Sequence, residues 1–217
     1  MSLAAKIIIP EIQKSLPGFE SINRYVDKHS KKVTAKILPG EYYVTMENEL
    51  ITTVLGSCIS ACIRCKAFGI GGMNHFMLPM SRDDGNDGWM ADGNTSEATR
   101  YGNYAMEHMI NDILKQGASR NHLEVKLVGG GQILKNMSDV GSRNILFARE
   151  YLNTENLELV GEDVGDIYPR KVMYDPMTGK VKVKKLRSLH NETIVQREEE
   201  YQHQIEEKPV VGEVELF

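Results

Sequence analysis

Short apolar runs and longer stretches with a helical period alternate along this chain. β-Branched and apolar residues dominate residues 41–68, which predicts strands at about 42–45, 51–54 and 59–64. Gly69-Ile70-Gly71-Gly72 then turns into a further strand ending near Pro79. Residues 81–93 gather Gly, Asp and Asn around Trp89, the composition of a surface loop. Asn94 with Glu97 resembles a capping box, and Ala98, Tyr101, Ala105, Met109 and Ile113 fall on one face of a helix that Gly117 stops. A strand at 123–128 runs into Gly129-Gly130-Gly131-Gln132, and an amphipathic helix follows at 142–152. A strand at 157–160 and a hairpin over 170–185, turning at Asp175-Pro176-Met177-Thr178-Gly179, complete a mixed α and β pattern.

The two ends of the chain read differently. Residues 1–37 mix charges with turn signals, Leu16-Pro17-Gly18 and Leu38-Pro39-Gly40 at its edge, and are read as an arm laid on the core. Residues 187–217 carry three basic and eight acidic residues, whereas the first 186 are near neutral, with 23 basic against 22 acidic. This acidic extension is read as a short surface helix or a disordered segment, closed by the apolar Val214-Glu215-Leu216-Phe217.

At 217 residues and 41% hydrophobic, the chain is long enough for one well-buried core. A net charge of −4 lacks the basic stripe that nucleic-acid binding requires. No apolar run approaches the length of a membrane span, so membrane insertion is not expected and the chain reads as cytoplasmic. Its three cysteines, crowded between residues 58 and 65, cannot build a disulfide framework and fit a reducing compartment.

Two of the apolar segments carry candidate chemistry. Ile51-Thr52-Thr53-Val54-Leu55-Gly56-Ser57-Cys58 ends on a thiol, and Gly71-Gly72-Met73-Asn74-His75-Phe76-Met77-Leu78-Pro79 carries an imidazole. A free cysteine is ordinarily a small buried hydrophobe. Here Gly56-Ser57 breaks the strand just before the thiol, which lets backbone amides approach a developing oxyanion. A thiol of ordinary pKa needs a base, and His75 alone among the six histidines is bracketed by apolar residues beside a Gly-rich turn. No carboxylate lies close on either segment, so Thr52 or Thr53 is left to orient the ring. The spacing Cys58-x3-Cys62-x2-Cys65 also resembles the cluster motif of radical S-adenosylmethionine enzymes, but the alternation of Ile59, Ala61 and Ile63 places those cysteines on a strand rather than a loop. Gly129-Gly130-Gly131 lacks the rest of a phosphate-binding fingerprint and reads as a tight turn.

Leu55-Gly56-Ser57-Cys58, the segment 71–79, Val128-Gly129-Gly130-Gly131, Gly141-Ser142-Arg143-Asn144 and the late hairpin together resemble the CheD family of bacterial chemoreceptor glutamine deamidases, over about residues 38–186. The resemblance implies an α+β fold, an α/β/β/α sandwich similar to the cytotoxic-necrotizing-factor type of cysteine deamidase, with residues 38–186 as the deamidase domain. It implies a Cys-His-Thr site in which Cys58 is the nucleophile, His75 its base, and Thr52, six residues before the cysteine, the third member, with Thr53 adjacent. It further implies chemoreceptor cytoplasmic domains as substrate, a CheC-like phosphatase as a partner in some bacteria, and neither cofactor nor metal. A non-catalytic regulator that only docks on receptors or on that phosphatase is the alternative.

Overall fold

The computed structural model describes residues 10–79, 97–133, 140–187 and 192–207. Ten strands occur among them, in chain order β1 (Asn23–Val26), β2 (Val33–Lys36), β3 (Tyr42–Thr45), β4 (Leu50–Leu55), β5 (Ile59–Cys65), β6 (Gly71–Asn74), β7 (Leu123–Gly129), β8 (Glu158–Val164), β9 (Arg170–Asp175) and β10 (Lys180–Lys185). Helices α1 (Glu97–Lys115), α2 (Val140–Thr154) and α3 (Glu192–Glu207) accompany them. The protein is therefore a mixed α+β fold.

The strands form two five-stranded sheets, one ordered β1-β2-β4-β9-β10 and the other β3-β6-β5-β7-β8. In the first, β2 pairs parallel with β4 while β4 and β9 run antiparallel. In the second, β5 lies antiparallel to both β6 and β7, and β7 runs parallel to β8. One cluster of buried side chains runs through both sheets, including Ile51 and Leu55 of β4, Ile59 and Ile63 of β5, and Val172 and Tyr174 of β9. Removing such residues from water is the main favourable contribution to folding. Helices α1 and α2 pack on the second sheet, α1 against β3, β5 and β6 and α2 against β5, β7 and β8. Among the described residues no helix is long and apolar enough to cross a membrane.

The central strands, the first helix and the late hairpin lie where the hydrophobic pattern predicts them. Gly117 does stop α1, with a φ of +93° that L side chains rarely adopt. The strand expected to run to Pro79 ends at Asn74, with an isolated bridge between Ile59 and Phe76 beyond it. A larger difference concerns the arm. Residues 23–36 are not laid over a finished core but supply two strands of the first sheet, β1 at its edge and β2 inside it. Their polar character follows from that edge position, since β1 is only partly buried. The loop at 81–93 with Trp89, the Asn94 cap and the apolar cap at 214–217 lie outside the described residues.

Candidate active site

The nucleophile candidate sits where the chain passes between the sheets. Strand β4 belongs to the first sheet and β5 to the second, and only Gly56, Ser57 and Cys58 separate them. The turn is clasped from behind, because Gly130 N–H donates to the Cys58 carbonyl and Gly131 N–H to the Gly56 carbonyl, both at 2.7 Å. Such a close approach demands glycine. A Cβ on Gly129, whose φ is +121°, would lie 2.3 Å from the Cys58 carbonyl oxygen. The triple glycine is thus a tight turn that grips the site. Asn144 of α2 adds a second hold, donating to the Ser57 carbonyl at 2.8 Å and accepting from the Leu78 N–H at 2.9 Å.

His75 is fixed with equal care. Its backbone N–H donates to the Glu41 carbonyl and its own carbonyl accepts from Gly40, while Ile59 and Phe76 exchange two backbone hydrogen bonds. Cys58 and His75 each precede one member of that antiparallel bridge, so they are diagonal neighbours on one face. The Cys58 Sγ, a His75 ring nitrogen and a Glu198 carboxylate oxygen all lie within 4.8 Å of one another. All three residues are buried.

Of the two candidate threonines, Thr53 is the one against the His75 ring. Its Oγ1 lies 2.7 Å from His75 Nδ1 and 2.9 Å from the Ile37 carbonyl. A carbonyl can only accept, so the hydroxyl proton goes to Ile37 and the oxygen accepts from Nδ1–H. That leaves Nε2 with its lone pair, and among the described residues this buried nitrogen has no hydrogen-bond partner. Thr52, onto which the resemblance places the third role, instead donates to the Val172 carbonyl at 2.7 Å. Successive residues of a strand face opposite ways, so only one of the two threonines can reach the ring.

Glu198 of α3 is invisible to sequence reasoning as a site residue. Its Oε1 accepts from the N–H of Gly56 at 2.7 Å and of Cys58 at 3.3 Å; its Oε2 accepts from the N–H of Ser57 at 2.7 Å and from the Ser57 hydroxyl. The only available signal is the spacing of Glu198, Tyr201, Gln202 and Ile205, the buried stripe of α3. Three backbone amides therefore converge beside Cys58 on one carboxylate, the arrangement an oxyanion hole requires. Cys58, His75 and Glu198 are also the one trio of His, Cys, Asp or Glu among the described residues close enough to share a metal ion. Both carboxylate oxygens are already engaged by N–H and O–H donors, so the trio is arranged for hydrogen bonding rather than coordination. Cys62 and Cys65 do not join it, which leaves the cluster-motif spacing without a site among the described residues.

Burial pushes the Cys58 thiol well above its ordinary range, and the Glu198 charge and hydrogen bond push it further. Burial, then the positive charge of Arg197, lowers His75 to about 3. The pair rests as neutral thiol and neutral imidazole. In the unfolded chain His75 takes up a proton below its ordinary 6.5, so the unfolded state binds more protons between pH 6.5 and 3. The stability is fully present above pH 6.5 and falls as pH drops through that window. Urea unfolding at pH 5 is expected to give about 2 kcal/mol less stability than at pH 7 from this group, with the slope flattened in His75→Gln. Equal slopes in the two proteins would refute the assignment.

Known proteins resemble this chain over nearly its whole length. The family profile described as CheD chemotactic sensory transduction matches residues 77–185. A protein of Halorhodospira halophila named "Probable chemoreceptor glutamine deamidase CheD" is 55% identical over 202 residues, covering 93% of each chain. A protein of the same name from Hahella chejuensis is 53% identical over 203 residues, covering 94% of each, and one from Methylobacillus flagellatus is 54% identical over 199 residues, covering 90% of this chain and 95% of its own. With half the chain matched by the profile and nearly all of it by these relatives, the chain belongs to the CheD family.

Proposed function

We propose that this protein hydrolyses glutamine side-chain amides of chemoreceptors to glutamate through a thioester on Cys58, in chemotactic adaptation. The observation that carries the reading is the convergence of a thiol, an imidazole oriented by Thr53 and three backbone amides in one place. His75 Nε2 takes the Cys58 proton, and the thiolate attacks the carboxamide carbon. The N–H groups of Gly56, Ser57 and Cys58 hold the oxyanion. The imidazolium gives its proton to the departing ammonia as the C–N bond breaks. Water, deprotonated by His75, then attacks the thioester, the C–S bond breaks and the thiol returns with one new carboxylate on the substrate. Every step uses groups of this chain and the substrate, with no cofactor or metal.

The relatives' names support the substrate class, and a cytoplasmic site of action follows from receptor cytoplasmic domains being that substrate. Two sheets with α1 and α2 packed on the second account for three of the four layers of the α/β/β/α deamidase fold that this reading implies. The inferred domain at 38–186 draws on both extensions, β1 and β2 from one side and α3 from the other. Docking on a CheC-like phosphatase is the other role the family suggests, and binding by catalytically inactive protein measures it separately. Incubation with a purified receptor cytoplasmic fragment, followed by peptide mass spectrometry, is expected to show specific glutamines converted to glutamate with release of ammonia; an unchanged receptor would sink the proposal.

The two threonines give a sharper test of mechanism. Thr53→Val removes the acceptor that holds Nδ1–H and is expected to lower kcat by about a hundredfold, in the range of general-base effects. Thr52→Val strands the Val172 carbonyl and should cost about 1 kcal/mol of stability while kcat stays within a fewfold of wild type. The reverse ranking of the two turnover numbers would exclude Thr53 as the orienting group.

A further inference from the structure

The amides that would hold a reacting carboxamide are already occupied by a carboxylate of the same chain. Glu198 is 2% exposed, and its two oxygens take every N–H of the Gly56-Ser57-Cys58 turn as well as the Ser57 hydroxyl. A glutamate side chain is chemically what a glutamine becomes once its amide is hydrolysed. The turn accommodates it closely, for a Cβ on Gly56 would sit 2.7 Å from Oε2. With α3 in place, Cys58 is fully buried and His75 is 2% exposed, so no side chain from another molecule can reach the thiol.

The rest of α3 is attached lightly. Only Glu198, Tyr201, Gln202 and Ile205 of its sixteen residues are buried. Tyr201 packs on Gly40 and shares a hydroxyl hydrogen bond with Tyr101 of α1, which anchors the helix one turn beyond the carboxylate. Gln202 Oε1 is buried with no partner among the described residues, a cost that favours release of the helix. The Glu198 charge also disfavours a thiolate beside it, so the docked helix holds the nucleophile inactive as well as covered.

We infer that α3 is an intramolecular product mimic: Glu198 seats in the oxyanion hole, keeps the site closed, and must leave before a glutamine on another helix can enter. This rests on the deamidase reading and adds a consequence to it. A glutamine at position 198 is then a substrate in cis. The Cys58 thiolate attacks its Cδ, the C–N bond breaks with loss of ammonia, and water cleaves the C–S bond to leave glutamate.

Four variants of the whole chain test this. Glu198→Ala and Tyr201→Ala, the second of which loosens α3 without touching the amide turn, are expected to raise receptor deamidation and the rate of Cys58 alkylation by iodoacetamide about tenfold, the factor for a site open roughly a tenth of the time. In Glu198→Gln, tandem mass spectrometry of the peptide bearing residue 198 should find glutamate when Cys58 is present and glutamine when the variant also carries Cys58→Ala. Receptor conversion by the wild type reports the deamidase reading by itself. If the wild type converts receptor while both alanine variants match it in turnover and alkylation and the introduced amide persists in Glu198→Gln, the closure is overturned and the deamidase reading stands. If nothing is converted in any protein but Cys58 alkylates faster in the alanine variants, the closure stands and the deamidase reading falls. Absence of both effects removes both.

Discussion

Cys58→Ala is expected to abolish conversion of receptor glutamines while leaving the receptor bound. The thiol lies beside both His75 and Glu198, the carboxylate on which the three amides converge, and losing a nucleophile typically lowers turnover by about four orders of magnitude or more. The substitution is structurally mild. Cys58 is buried at a turn whose shape comes from backbone hydrogen bonds with Gly130 and Gly131, none of which needs the sulfur. Removal of one buried atom costs about 1 kcal/mol, so the fold and its receptor-binding surface persist. The readouts are peptide mass spectrometry for the reaction and co-sedimentation for binding. Turnover near the wild-type level would eliminate the thioester. Failure of both proteins to convert a receptor that each still captures would favour a regulator that acts by docking alone.

The largest effect on stability is expected at Arg170. This side chain is fully buried at the start of β9, yet its guanidinium donates to the Asp163 carbonyl and carboxylate, each at 2.6 Å, and to the Gly165 carbonyl. Asp163 lies in β8 of the second sheet and Gly165 just beyond it, whereas β9 belongs to the first. One cation thus binds the segment that carries the chain back between the sheets. Arg170→Ala leaves two carbonyls and a carboxylate without that donor and opens a cavity the size of the lost side chain. A loss of about 3 kcal/mol is expected in urea or guanidinium unfolding, the low end of the range for breaking a buried charged pair from one side, because the Asp163 side chain is partly exposed. Arg170→Lys should recover part of it, since an ammonium can serve fewer of the three acceptors. A midpoint unchanged in the alanine variant would show that solvent replaces the guanidinium freely.

Legibility in the sequence tracks burial. Strands β4, β5 and β7 are apolar because the core covers them, and α1 displays its buried face at helical spacing, so both declare themselves. Strand β1 and most of β8 are partly or largely exposed; their polar residues carry no alternation, and the pattern predicts four residues where β8 has seven. Cys58 and His75 are legible because glycine turns and apolar neighbours flank them. The choice between Thr52 and Thr53 is not, because it depends on which face of β4 meets the Ile37 carbonyl, a matter of strand pairing. Glu198 is hidden for a different reason. It stands in a run with Glu199 and Glu200, and only the docking of α3 separates the buried carboxylate from its exposed neighbours.

The crossover turn makes the proposed active site a gauge of how the two sheets are aligned. Thr53 travels with the first sheet, whereas Cys58 and His75 are tied to strands of the second, so a slide of one layer over the other by about an ångström or two would unhitch the ring from its hydroxyl without unfolding anything. Reactivity of the proposed nucleophile would therefore measure interlayer registration, and a fragment limited to residues 77–185 would hold neither proposed reacting side chain and only β9 and β10 of the first sheet.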